Sequence, residues 1–253
     1  MDENYGFSVP LDTYLSGWLF DKTTGELFRG FPIYESDTVL DAGCGNSPYI
    51  QFCGERGAEV IVADIDGDKV AVTVEALKAT KARKISAVVG NCNPIPIEAE
   101  SVDKVIALEV IEHVEAPAAF LAELARVARP GALFLISAPD AASENMQKKG
   151  LAPDEYFREP NHVRIIDRVE FTAMIEAAGL DIVDRELFGF YWTLWWTLFW
   201  ACRQDLSPPW HPVLQNWTTT WSSLLDLPDG ARIKRALDDT LPKTQLIIAR
   251  KPG

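Results

Sequence analysis

The side chains able to do chemistry gather at a few places in this chain. Asp41-Ala-Gly-Cys-Gly45 follows the apolar pair Val39-Leu40, which reads as the end of a buried strand, and a helix-like segment from Pro48 to Arg56 comes next. Glycine has no Cβ and takes positive φ readily, so a Gly-x-Gly turn between strand and helix lets backbone N–H groups approach a nucleotide-like ligand. About twenty residues on, Val60-Ile-Val-Ala63 ends in Asp64. In βαβ nucleotide folds a carboxylate at that point accepts hydrogen bonds from ribose hydroxyls. Farther along, Glu109-Val-Ile-Glu-His113 sets two carboxylates beside an imidazole. The chain has only three histidines, and the other two are His162, in Pro160-Asn-His-Val-Arg164, and His211, in Trp210-His-Pro212. Imidazoles and carboxylates in company suit proton transfer or a divalent metal.

Positioning these groups requires a sheet. Short apolar, β-branched runs alternate with helical segments: strands at 38–41, 59–64, 84–89, 103–108, 132–137 and 180–187, and a last strand at 244–250. Helices are expected at 69–80, 117–128 and 168–178. That alternation predicts an α/β fold with a doubly wound, mainly parallel seven-stranded sheet covered on both faces. Such sheets bind ligands at the carboxyl ends of their strands. The Gly43–Gly45 turn, Asp64, Asn91 and Glu109 would then line one edge of one crevice. Four segments follow: an N-terminal cap over 1–36, a Rossmann-like core over 37–187, an aromatic and helical insertion over 188–243, and the closing strand over 244–253. The cap either folds over the ligand or packs on the sheet edge. Residues 138–166 read as a long loop, and such loops are commonly functional.

The third position of a dinucleotide fingerprint is Pro48 rather than glycine, which argues against a bound pyrophosphate. Asp-x-Gly-x-Gly with an acid closing the next strand instead resembles the class I S-adenosylmethionine-dependent methyltransferases of small molecules. The resemblance continues through Asn93-Pro-Ile-Pro-Ile97, Ser101-Val-Asp103 and Arg126-Val-Ala-Arg-Pro-Gly-Ala-Leu-Phe-Leu-Ile-Ser137, and covers roughly 38–187. It implies a Rossmann-like methyltransferase fold and S-adenosylmethionine as cofactor, with S-adenosylhomocysteine as product. Asp41, Gly43, Cys44 and Gly45 would line its methionine end. Asp64, with Ile65 beside it, would hold the ribose, Asn91 and Cys92 the adenine, and Glu109 would face the sulfonium. Asn91 stands where the family commonly has aspartate, although an amide oxygen can still accept a hydrogen bond.

Methyl transfer from a sulfonium is an in-line displacement, so most of the acceleration is positional. A general base adds about 10²–10⁴-fold for a hydroxyl acceptor. His162 and His113 are the candidate catalytic residues. Glu109, Glu112, His113 and His162 could alternatively hold a divalent metal that acidifies the acceptor hydroxyl. Glu-x-x-Glu-His with a later histidine is similar to the metal set of ubiquinone-pathway and small-RNA 2′-hydroxyl methyltransferases. Metal-free relatives share the pentapeptide, and there the histidine is structural. The three residues of the pentapeptide share a face if the segment starts a helix.

The remaining motif is Leu187 to Cys202, uncharged and rich in tryptophan. Trp192, Trp195, Trp196 and Phe199 fall at the spacing of one helix face, with Phe188, Tyr191, Leu194 and Leu198 beside them, so the helix is apolar nearly all round and must be buried. The segment falls short of the roughly 18–20 apolar residues a membrane span needs. A lid packed against Trp217 and Trp221, a pocket for an apolar or lipid-linked acceptor, a membrane-surface contact and a homodimer face are the roles open to it. A formal charge of -13, from 24 basic and 37 acidic side chains, disfavours nucleic acid. Four unpaired cysteines and an acidic start without a secretory pattern point to the cytoplasm. The expected activity is methyl transfer from S-adenosylmethionine to a small molecule, at oxygen rather than nitrogen. A non-catalytic S-adenosylmethionine-binding regulatory module is the alternative from another class, and an NAD-dependent oxidoreductase comes third.

Overall fold

The computed structural model of the protein describes residues 20–253 apart from Ser47 and Asn93. The aromatic residues Tyr5, Phe7, Tyr14 and Trp18, and the helix caps expected at Asp12 or Ser16, lie outside the described residues. The chain forms two compact units: a sheet unit of Leu19–Ala138, Asp167–Glu186 and Leu246–Gly253, and a helical unit that includes Pro139–Ile166 and Leu187–Gln245.

Seven strands make the main sheet. In chain order they are β3 (Thr38–Ala42), β4 (Glu59–Asp64), β5 (Lys84–Val89), β6 (Val102–Leu108), β7 (Ala128–Pro139), β8 (Asp181–Phe188) and β9 (Thr244–Arg250). Their spatial order is β5-β4-β3-β6-β7-β9-β8. The pairs β3·β4, β3·β6, β4·β5 and β6·β7 are all parallel, with Leu40 opposite Ile61 on one side and Val105 on the other. Val39, Leu40, Val60, Val62, Val105 and Ile106 have no exposed surface, as central parallel strands covered on both faces require.

The helices of this unit are α1 (Tyr49–Glu55), α2 (Gly67–Leu77), α3 (Pro117–Val127) and α5 (Arg168–Ala177). Asp66 caps α2 by accepting the N–H groups of Asp68 and Lys69, and Asp167 does the same for α5 with Val169 and Glu170. Before the sheet, β1 (Glu26–Phe28) and β2 (Phe31–Pro32) pair antiparallel, and Leu27, Phe28, Phe31 and Ile33 are buried. The expected strand at 132–137 extends back to Ala128, because the register with β6 shifts there and Gly131 absorbs the irregularity at φ 83°.

The helical unit corrects one expectation. Residues 138–166 are not a bare loop: α4 (Ala141–Lys148) and a 3₁₀ turn (Asp154–Phe157) lie within them. Asp140 caps α4 by accepting the N–H of Ala142, a signal hidden behind the prolines and glycine that follow. The insertion folds as α6 (Phe190–Cys202), α7 (Pro212–Leu225) and α8 (Gly230–Thr240). Tyr191, Trp195, Phe199, Leu214 and Trp221 form its buried core, with Trp217 packed against them. The Tyr191 and Trp217 rings stack 5.8 Å apart, and Trp217 Nε1 donates to the Tyr191 carbonyl at 3.0 Å. Aromatic side chains bury about 150–250 Å² each, which explains why so short an array of helices holds a core. Among the described residues no helix is long and apolar enough to cross a membrane.

Candidate functional site

Strand order brings four sequence-predicted groups to one edge of the sheet unit. β5, β4, β3 and β6 are consecutive neighbours, so the turns leaving their carboxyl ends stand side by side. These turns carry Gly90–Cys92, Asp64–Asp66, Gly43–Gly45 and Glu109.

The glycine turn is fastened from several sides. Gly43 and Cys44 both donate to the Ala63 carbonyl, at 2.7 and 3.0 Å. Gly45 donates to Asp64 Oδ2 at 2.9 Å, and its carbonyl accepts the Thr73 hydroxyl at 2.7 Å. The other Asp64 oxygen accepts from the Asp66 N–H at 2.9 Å. Each carboxylate oxygen keeps a second lone pair, so Asp64 can brace the turn and still accept ribose hydroxyls. Gly43 sits at φ 83°, and a Cβ there would lie 2.3 Å from Val110 Cγ2; Gly45 sits at φ 48° with open space where a Cβ would be. One glycine is required by packing and conformation, the other by conformation and by the clear approach it leaves to the turn.

Asp41 is the electrostatic centre of this edge. Its carboxyl is 3% exposed, and Oδ2 has no hydrogen-bond partner among the described residues. Burial, with the Asp64 charge nearby, pushes its pKa from 3.8 to about 7. A buried carboxyl with an orphan oxygen gains from a cationic partner, because desolvating a lone charge is costly. The amino-acid end of a sulfonium nucleoside supplies positive charge, so Asp41, the open Gly45 turn and Asp64 fit such a ligand.

Two further residues at this edge show backbone strain. Cys92 at φ 55° and Glu109 at φ 53° occupy the left-handed region that favours glycine. Such strain persists only where the surroundings fix it, and it clusters at ligand sites. For Glu109 the fixing group is buried Ser137: its hydroxyl donates to Glu109 Oε1 at 3.0 Å and accepts from the Glu109 N–H at 3.1 Å. Ile65, next to Asp64, is 75% exposed on the same edge. Asn91 follows β5 on the same edge. Thr73, Val110 and Ser137 were not legible as site residues, since each serves the backbone of another motif and carries no spacing signal.

Residues 109–113 form a bend followed by a turn at 111–113, not the start of a helix, so Glu109, Glu112 and His113 do not share a helical face. Glu112 is buried, and His113, more than a third exposed, has Nε2 3.7 Å from Glu112 Oε1. His211 is a helix cap: its Nδ1 accepts the Val213 N–H at 3.2 Å. His162 belongs to the helical unit, where its Nδ1 lies 2.8 Å from Glu144 Oε2. Glu144 Oε1 faces Lys243 Nζ at 3.4 Å and accepts the Tyr156 hydroxyl at 3.3 Å. Burial raises the Glu144 pKa, but the His162 hydrogen bond and the Lys243 charge outweigh it and hold the carboxyl below its ordinary range.

Burial pushes the Cys44 thiol up to about 12 and Cys92 up to about 11, so neither is a nucleophile at neutral pH.

Comparison with known proteins adds to this geometry. Residues 40–136 match the family described as "Methyltransferase domain". A Mycolicibacterium smegmatis protein named "Probable S-adenosylmethionine-dependent methyltransferase" is 32% identical over 146 residues, 58% of this chain and 52% of its own. A ubiquinone biosynthesis O-methyltransferase of Hahella chejuensis is 36% identical over 109 residues, 39% of this chain and 42% of its own. The chain thus spans about half the length of these curated relatives. Norajmaline N-methyltransferase of Rauvolfia serpentina is 26% identical over 87% of this chain and 77% of its own. Among solved structures, geranyl diphosphate methyltransferase in complex with SAM aligns at TM-score 0.57 and 16% identity, over 87% of this chain and 80% of that one. The [4+2]-cyclase SpnF aligns at TM-score 0.58 and 15% identity, over 96% and 92%. At these identities the structural likeness shows the fold alone.

Proposed function

We propose, from the premise that the chain carries at residues 40–136 the cofactor domain of the class I S-adenosylmethionine-dependent methyltransferases, that it methylates a small-molecule acceptor at oxygen. When bound, S-adenosylmethionine supplies an electrophilic methyl group on a positively charged sulfur. The observation that carries the reading is the buried, unsatisfied Asp41 oxygen beside the open Gly45 turn. In this reading Asp41 neutralises the positive end of the cofactor, while the turn from Gly43 through Cys44 to Gly45 admits its methionine portion. Asp64 and Ile65 receive the ribose, Asn91 and Cys92 the adenine, and Glu109 the sulfonium side.

Oxygen rather than nitrogen is favoured because a hydroxyl must lose its proton as the new bond forms, and His162 is held by an ionised carboxylate in a form suited to take it. His113 is the second candidate base. The relatives' names divide between oxygen and nitrogen acceptors, so the acceptor atom rests on this argument. The aromatic helical unit suits an apolar or lipid-linked acceptor, and the free thiols suit the reducing cytoplasm.

A divalent ion on Glu109, Glu112, His113 and His162 is the second reading, favoured by the buried Glu112 carboxylate beside His113. Two carboxylates and two imidazoles are a donor set that divalent metals accept, and the ion would acidify an acceptor hydroxyl. Incubation with a panel of hydroxylated small molecules, with S-adenosylhomocysteine release read by chromatography, tests the activity. Turnover that is lost in EDTA and restored by Mg²⁺ or Mn²⁺ supports the metal; turnover unchanged in EDTA removes it. No release with any acceptor sinks the methyltransferase reading in favour of the non-catalytic module.

A further inference from the structure

We infer that Glu144 is a positioning residue for His162, fixing the imidazole with its proton on Nδ1 and its lone pair on Nε2. The inference rests on the reading above in which His162 acts on the acceptor.

Glu144 lies on α4 and is 1% exposed, and Nδ1 of His162 stands 2.8 Å from its Oε2. An ionised carboxylate can only accept hydrogen bonds, so the ring nitrogen facing it must carry the proton. The carboxylate is in turn steadied at its other oxygen by Lys243 at 3.4 Å and the Tyr156 hydroxyl at 3.3 Å. Lys243 alone would neutralise Glu144, so charge balance does not require a histidine there. What the histidine gains is a fixed tautomer.

The mounting of the ring supports the same conclusion. The backbone His162 N–H donates to the Tyr156 carbonyl at 3.1 Å, the two rings lie 4.4 Å apart, and Trp200 packs edge-on against Tyr156 at 5.6 Å. Gln245 Nε2 bridges the Pro139 and Ile166 carbonyls at 3.2 and 2.8 Å, closing the segment that carries both Glu144 and His162. A side chain locked by packing and by hydrogen bonds from outside its own segment is the arrangement that precise catalytic groups need. The consequence is the same whether Nε2 takes a proton or a metal ion, since each requires the lone pair on that nitrogen.

The test uses full-length protein with ¹⁵N-labelled histidine. With three histidines in the chain, His162→Asn assigns the signal. Two-bond ¹H–¹⁵N correlations at pH 8 should show the His162 proton on Nδ1 in the unaltered protein. In Glu144→Gln the amide can donate to the ring, and the proton should move to Nε2. With the acceptor that the panel identifies, Glu144→Gln should lose about 10²–10⁴-fold in kcat, with KM and S-adenosylhomocysteine affinity within about threefold. A merely structural bridge would leave kcat per folded molecule unchanged. If Glu144→Gln does not fold, Glu144→Asp withdraws the carboxylate by one methylene and should lower kcat in the same direction. A His162 proton on Nε2 in the unaltered protein, or full kcat in the folded Glu144 variant, overturns the inference while leaving the base reading intact. Full kcat in His162→Asn instead removes the base, and this inference with it.

Discussion

Asp41→Asn should stabilise the ligand-free protein while weakening its hold on the cofactor. The carboxyl is fully buried and its pKa is pushed from 3.8 to about 7. In the unfolded chain it ionises near 3.8, so between those values the folded state holds a proton that the unfolded state has lost. The stabilising contribution is therefore complete below about pH 3.8 and is lost as pH rises through about 7. Between pH 5 and pH 8 the loss amounts to at most about 3 kcal/mol, at about 1.4 kcal/mol per pH unit. An asparagine of the same shape does not titrate. Urea unfolding of both proteins at pH 5 and pH 8 should show the variant gaining stability relative to the unaltered protein as pH rises. Calorimetry at pH 8 should show the reverse for S-adenosylmethionine, about tenfold weaker or more, because a charge-assisted hydrogen bond is lost. Parallel stability profiles for the two proteins would refute the burial argument. Unchanged affinity would refute the assignment of Asp41 to the positive end of the cofactor.

Other substitutions probe neighbouring parts of the account. Gly43→Ala should destabilise by about 2–4 kcal/mol, combining a left-handed φ with a clash on Val110, and Val110→Ala should restore only the clash portion in chemical unfolding. Gly45→Ala meets no neighbour and should cost only the conformational part, about 1–2 kcal/mol. Buried Cys44, Cys53 and Cys92, all with pKa values pushed up by burial, should resist a thiol reagent at pH 8, leaving half-buried Cys202 as the site of modification by mass spectrometry. His211→Ala should cost about 1 kcal/mol of thermal stability through the lost cap and leave turnover unaltered.

Much of the sheet was legible because β-branched runs buried on both faces carry an unambiguous pattern. The strands at 59–64, 84–89 and 244–250 match the structure residue for residue. The edge turns were legible for a related reason: glycine at 43 and 45 and acids at 41 and 64 are dictated by backbone conformation and charge. What escaped the sequence was set by tertiary partners. α4 is capped by Asp140, but its residues gave no apolar period strong enough to announce a helix. Ser137 looks like the end of a strand, and only the fold shows its hydroxyl clamping the strained Glu109 backbone. The pairing of Glu144 with His162, eighteen residues apart, follows from how the segment between them closes, which no local spacing records. The aromatic helix was expected to be buried nearly all round with Trp192, Trp195, Trp196 and Phe199 on one face; the row that is fully buried is instead Tyr191, Trp195 and Phe199, spaced by four, with Trp192 and Trp196 half-buried beside it.

The central claim is that the turn after β3 and the carboxylates at 41 and 64 cradle a sulfonium nucleoside. Isothermal titration of the purified protein with S-adenosylmethionine, repeated on Asp64→Ala, tests it most directly. The account predicts saturable one-to-one binding by the unaltered protein and affinity about 10–100-fold weaker in the variant, because the carboxylate that braces the Gly45 turn and would accept the ribose hydroxyls is removed. No heat with the unaltered protein, or equal affinity in both, would contradict it.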